Sequence, residues 1–284
     1  MEPKRPGKNP NVGPRGTQAS GATSRPKTHV QPHLPDPKKP KGPYQPFTSD
    51  PGWSEAWWWL GVPVLVAAFV LGTYWIVPHF YMRYVLPEGY GLLEISHFVI
   101  PLFGLFIAGG LLFKPFVRAR PFVFTVALIG ALSCLYIAGE EMSWGQHFFH
   151  WRTPEFWAAL NRQDETNLHN AYRISEGLPR SILQLCIAIG GLGVPLGAVF
   201  YPALRACRIS LFLPPPALVP TSLGAIGFKL VDHRQQSGYL TGFLHRPSET
   251  IETYLFFFVL AYLLVYARRI RELEIEVRPT KAAT

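Results

Sequence analysis

The amino-acid sequence predicts an all-α protein, a polytopic transmembrane helix bundle preceded by a disordered N-terminal tail. Three observations carry this expectation. Apolar runs long enough to cross a bilayer recur along the chain, and the few charged residues gather between them. The first fifty residues have the opposite composition. Of 284 residues, 48% are hydrophobic, 14% aromatic and only 16% charged, against roughly 25% charged in a typical soluble domain. Residues 1–50 hold nine Lys or Arg against Glu2, Asp36 and Asp50, and so account for +6 of the net charge of +9. The basicity therefore belongs to a tail and not to a nucleic-acid-binding face. That tail also carries eleven prolines, as in "LPDPKKPKGP", and too few large apolar residues to offset its ordering entropy.

The spans follow in order. A hydrocarbon core about 30 Å thick needs about 20 apolar residues in a helix. Trp57–Val77, Leu92–Phe113, Phe122–Gly139 and Ile182–Tyr201 meet this requirement, and Ile251–Ala267 is shorter but stops at Arg268 and Arg269. The remaining stretch, Ile209–Phe228, contains "PPPALVP", whose prolines remove backbone donors and rule out a straight helix. The expectation is about six spans, the fifth broken or partly re-entrant, because broken backbone in a bilayer must be shielded by protein or face a cavity. The domain reading is a basic Pro-rich tail over 1–50, a transmembrane domain over 51–271 and a short C-terminal tail over 272–284. Cys134, Cys186 and Cys207 lie in or beside apolar runs without a CxxC pair, and read as small buried hydrophobes.

Loop charges give the orientation. Lys114, Arg118 and Arg120 stand between the second and third spans, Arg205 and Arg208 between the fourth and fifth, and Arg268, Arg269 and Arg271 after the last. The positive-inside rule puts all of these, and both termini, in the cytoplasm. The membrane-edge ionisable residues then fall on the outer side. Glu94 and His97 begin the second span, Glu140 and Glu141 end the third, and Glu249 and Glu252 begin the sixth. His147, His150 and His169 lie in the long outer loop, and Asp232, His233 and His245 in the last outer loop. Ionisable residues within spans usually face a bundle interior or cavity, so four chain segments converge on one expected site.

Helical spacing assigns candidates. Glu94 and His97 are i,i+3 neighbours, as are Glu249 and Glu252. If the third helix runs past Gly139, then Glu140, Ser143 and His147 share a face and Glu141 sits about 100° away. Thr153 before Pro154 reads as an N-cap opening an interfacial helix, "PEFWAALNRQ", which lays "DETNLHN" over the bundle mouth like a lid. The candidate catalytic residues are Glu140, Glu141, Ser143, His147 and His169. Candidate substrate contacts are Trp144, Asn167, Asn170, Glu249 and Glu252, and candidate metal ligands are Glu94, His97, Glu140 and His147. The plainer alternative is that the glutamates snorkel to headgroup water and that each histidine is an interfacial polar residue.

Carboxylate plus imidazole binds zinc or iron, or supplies a general acid and base. Glu94-x-x-His97 is half of the di-iron carboxylate pattern, but no second E-x-x-H occurs, so the cofactor is left open between a single divalent metal such as zinc and none. "EMSWG" lacks the first glycine of a G-x-S-x-G elbow, so Ser143 is not placed as such a nucleophile. "GEEMSWGQHFFHWRTPEFW" followed by "ETNLHN" resembles a signature of an uncharacterised group of bacterial polytopic membrane proteins. The resemblance covers residues 139–170, and the closing helix with Glu249 and Glu252 is similar. It implies a multi-pass protein of the bacterial inner (plasma) membrane and names no substrate, and the long Pro/Lys tail departs from it. Three functions are carried forward in this order. The first is a membrane-embedded hydrolase or transferase acting on a lipid or lipid-linked substrate. The second is a transporter built on the broken fifth helix, and the third an accessory subunit whose tail docks a protein partner.

Overall fold

A computed structural model of the chain describes residues 50–160, 165–168, 173–201, 203–206 and 208–277. The sequence-based reading of the tail over 1–49, and of His169 and Asn170, lies outside the described residues. Among the described residues the fold is all-helical, without strands. Six segments are long and apolar enough to cross a membrane: α1 Trp53–Ile76, α2 Leu92–Leu112, α3 Pro121–Glu141, α4 Arg180–Phe200, α5 Ile209–Gln236 and α6 Pro247–Val277. The protein is a multi-span membrane helix bundle.

The bundle is built around α6. Inside its apolar window 67% of the residues are buried, against 11% for α1, so α6 is the central post and α1 faces lipid along most of its length. Its neighbours are α2 and α5, and α2 packs in turn along α3. Without a hydrophobic drive between helices in lipid, association rests on close packing and interhelical hydrogen bonds. Three tyrosines of α6 supply such bonds. Tyr254 donates to the Pro63 carbonyl of α1 at 2.5 Å, Tyr262 to that of Phe212 at 2.9 Å and Tyr266 to that of Val123 in α3 at 3.0 Å. Close approach needs a small partner at Gly224 of α5, where a Cβ would run into the Tyr254 ring.

The α5 segment is broken where the prolines stand. A 3-10 turn, Arg208–Phe212, gives way to extended backbone at Pro214 and Pro215, and the α-helix proper runs over Val219–Gln236. Three of the carbonyls at this break converge on one side chain. Arg269 of α6 donates to the carbonyls of Ser210, Leu211 and Leu213 at 3.2, 3.2 and 2.6 Å. It also holds Asp50 through two bonds of 2.7 and 2.9 Å. Beside it Arg268 meets Glu55 at 2.6 Å, so the start of α1 and the end of α6 lie at the same end of the bundle.

The third helix ends where the sequence left its continuation open. α3 stops at Glu141, and Ser143, Trp144 and Gly145 follow with φ of 46°, 54° and 104°. Left-handed backbone is costly for Ser and Trp. These residues turn the chain into the short helix Gln146–Phe149, so the face that would have joined Glu140 to Ser143 and His147 is interrupted. α6 also runs longer than its apolar core, to Val277.

Candidate metal centre at the bundle mouth

The N-terminal ends of α2 and α6 and the C-terminal end of α3 meet at the end of the bundle away from Arg269. Between them is a cavity of about 250 Å³, polar on almost every side. Its lining holds seven carboxylates, Glu88, Glu94, Glu140, Glu141, Glu165, Glu249 and Glu252, against two guanidinium groups, Arg180 and Arg246. Arg180 pairs with Glu252, and Arg246 pairs with Glu249 at 2.8 Å and with Glu88 at 2.9 Å. These two guanidinium groups thus meet three of the seven carboxylates, and like charges held together in a partly dry space repel strongly.

His97 is the centre of this arrangement and is completely buried. Its Nε2 lies 3.0 Å from the Glu249 carbonyl and 2.9 Å from Thr253 Oγ1, while Thr253 donates its own proton to the same carbonyl at 3.1 Å. Both neighbours are therefore acceptors toward the ring, and Nε2 carries the proton. The lone pair is then on Nδ1, which is buried without a hydrogen-bond partner. Around it stand Glu141, Glu252 and Glu249, with carboxylate oxygens at 3.5, 3.9 and 4.0 Å. A charge-assisted N–H···O bond would be about 2.7–2.9 Å long, so the carboxylates stand back from the nitrogen. Four ligands about 2.1 Å from one ion in a tetrahedron lie about 3.4 Å apart, close to the separations seen. Two overlapping groups share the ring: His97 with Glu94 and Glu249, and His97 with Glu141 and Glu252. This buried His/Glu group can hold a metal ion, with the Nε2–H fixed by backbone as metal-ligating histidines usually are.

The other candidates divide around this centre. Glu140 lies about 100° around α3 from Glu141, also lines the cavity, and accepts the Trp144 indole N–H at 2.7 Å. Trp144 packs over Gly139, where a Cβ would be 2.9 Å from the ring. Ser143 and His147 do come together, with Oγ 3.3 Å from Nε2, and both reach Glu165 at 2.9 and 3.0 Å. Asn167 donates to Ser143 Oγ at 3.0 Å and to Glu165 Oε2 at 2.7 Å. Ser143 is fully buried behind this group and does not line the cavity, whereas His147, Glu165 and Asn167 do. Glu249 and Glu252, read from the sequence as substrate contacts, lie in the His97 group. His147, read as a metal ligand, stands apart from it in the Ser143–Glu165 group.

Three features were not foreseen from the sequence. Arg180 and Arg246 were not singled out, although both stand at the ends of spans beside acids. Arg246 has φ of 50°, a strained value for a non-glycine residue of the kind that clusters at functional sites. Tyr81 ties the α1–α2 connection to the loop before α6 by donating to the His245 carbonyl at 3.0 Å. Burial, reinforced by the Glu249 carboxylate, pushes its phenol well above its ordinary range, so the hydroxyl remains a donor. Asp232 is bound to Lys229 on α5 at 3.1 Å, and neither His150, His233 nor His245 lines the cavity. Comparison of the chain with protein-family models, curated proteins and solved structures gives no match.

Proposed function

We propose that the protein is a divalent-cation-dependent hydrolase or transferase of the bacterial inner membrane, acting on a lipid or lipid-linked substrate at the outer membrane edge. The observation that carries this reading is the buried, unpartnered Nδ1 of His97 facing three carboxylates. One imidazole with carboxylates suits zinc among the common divalent ions, since magnesium and calcium favour all-oxygen shells. A single lone pair binds one ion, so the two overlapping groups describe one site. Bound there, such an ion polarises a carbonyl or phosphoryl oxygen and lowers the pKa of water.

The lipid assignment rests on where the cavity lies. It opens at the ends of apolar spans, and Tyr90 and Phe149, which follow its lining residues Gly89 and His147 closely in the chain, are 69% and 77% exposed. Exposed aromatic rings at that level suit the bilayer interface. The transporter reading has less support. The break in α5 is held by Arg269, twenty residues along α6 from Glu249 and so about 30 Å from the acids. A broken helix that bound the coupling ion would put the two together near the midplane.

The test is a chelation and add-back experiment on purified protein in nanodiscs of bacterial polar lipid extract, with lipids followed by mass spectrometry. Zinc is expected to restore consumption of one lipid class and formation of its product after chelator treatment, and Glu141→Gln to abolish it. No change in any lipid with zinc, manganese or magnesium, or turnover insensitive to chelation, would overturn the proposal.

A further inference from the structure

His147 is a second imidazole on the same cavity, and its surroundings repeat the logic of His97 with a different outcome. Its Nε2 lies 3.0 Å from Glu165 Oε1. That carboxylate is itself fixed, since its other oxygen accepts from Ser143 at 2.9 Å and from Asn167 at 2.7 Å. A carboxylate accepts and never donates when ionised, so the proton belongs on Nε2. The other nitrogen, Nδ1, is buried and without a hydrogen-bond partner. Space is left beside it by Gly89, a cavity-lining residue with φ of 80°, whose added Cβ would come no nearer than 3.9 Å to Nδ1. Unlike His97, this nitrogen belongs to no group of three or more metal-binding side chains among the described residues. It has the form of a base, with an oriented ring that lines the cavity, a held N–H and an unused lone pair.

We infer that His147 is the proton-transfer residue of this site, with Nδ1 as the accepting atom and Glu165 as its positioning residue. The inference rests on the enzymatic reading above and assigns the step that the cation site does not supply. For an ester or phosphoester bond of a lipid, Nδ1 takes one proton from the attacking water. The water oxygen bonds to the acyl carbon or phosphorus, the bond to the leaving oxygen breaks, and Nδ1 returns the proton to that oxygen. No oxidant or further reactant is needed. Ser143, buried and bound to Glu165, Asn167 and His147, orients the group and is not itself the nucleophile.

The ring state is read directly on the resting protein by nitrogen NMR of ¹⁵N-histidine-labelled samples, with His147→Gln identifying the resonance. The neutral ring should be the Nε2–H tautomer, and Glu165→Gln should loosen that preference. His147→Gln should keep the wild-type zinc content and lower lipid turnover by roughly 10²–10⁴-fold, the range for loss of a general base. A protonated Nδ1 in the neutral ring would overturn the inference, as would loss of zinc in His147→Gln or retention of full turnover. Absence of zinc or of turnover in the wild type would instead count against the enzymatic reading. The tautomer decides whether Nδ1 is able to accept a proton even then.

Discussion

Glu140 and Glu141 are neighbours in sequence with opposite tasks, because successive helical side chains point about 100° apart. Glu141 faces His97 at 3.5 Å, and Glu140, on the same cavity, accepts the Trp144 indole N–H at 2.7 Å. Glu141→Gln should therefore weaken zinc binding by roughly 10–100-fold, while Glu140→Gln keeps the ion and alters the Trp144 fluorescence. Metal analysis and emission spectra of the two variants check this, and equal metal loss in both would contradict it. Gly139→Ala should destabilise the protein by about 1–3 kcal/mol in thermal melts, because the new methyl group overlaps the Trp144 ring. The glutamates and the i,i+3 pairs Glu94/His97 and Glu249/Glu252 were legible in the sequence as membrane-edge acids and a base. Which glutamate faces His97 was not. The argument that put Glu140, Ser143 and His147 on one face required α3 to continue, and nothing in "MSWG" marks Ser143 and Trp144 as left-handed residues.

At the scale of elements, α5 shows how a bilayer tolerates a broken helix. Three prolines interrupt it, and Arg269 of α6 replaces the missing donors to Ser210, Leu211 and Leu213 while Asp50 balances its charge. Arg269→Leu would leave a buried carboxylate and three carbonyls without this partner, a loss of about 3–5 kcal/mol for a broken buried pair. Arg268→Leu removes a pair with both side chains about a third exposed and should cost under about 1 kcal/mol. Thermal denaturation in detergent distinguishes the two, and similar losses would contradict the assignment. The break was readable from "PPP", since proline acts through local geometry. The clamp was not, because Arg268 and Arg269 in sequence are two equivalent positive charges after a span. Only the tertiary packing buries one and leaves the other near water.

At the scale of the molecule, α6 sets the distances. From Glu249 to Arg269 it rises about 30 Å, the thickness of a hydrocarbon core, so the acidic mouth and the arginine clamp stand at opposite faces of the membrane. The orientation proposed from the loop charges puts the arginine face in the cytoplasm. A cysteine placed at Phe156 should therefore react with an impermeant thiol reagent added outside intact cells, and one at Ala119 should react only after the inner face is opened. Reversed labelling would move the site to the cytoplasmic leaflet. The clustering of acids at one end was readable because hydropathy places the ends of the spans. The meeting of α2, α3 and α6 around one imidazole depends on which helices are neighbours, and apolar spans alike on all sides carry no such information. The central claim is that an ion sits against His97, and the most direct measurement is an anomalous difference map at the zinc edge from protein purified without chelators. The expected result is one peak about 2.0–2.1 Å from His97 Nδ1, within bonding distance of carboxylates from the Glu94, Glu141, Glu249 and Glu252 set, and absent in His97→Gln. A map without a peak there after zinc loading, with His97 Nδ1 instead hydrogen-bonded to Glu141, would contradict it.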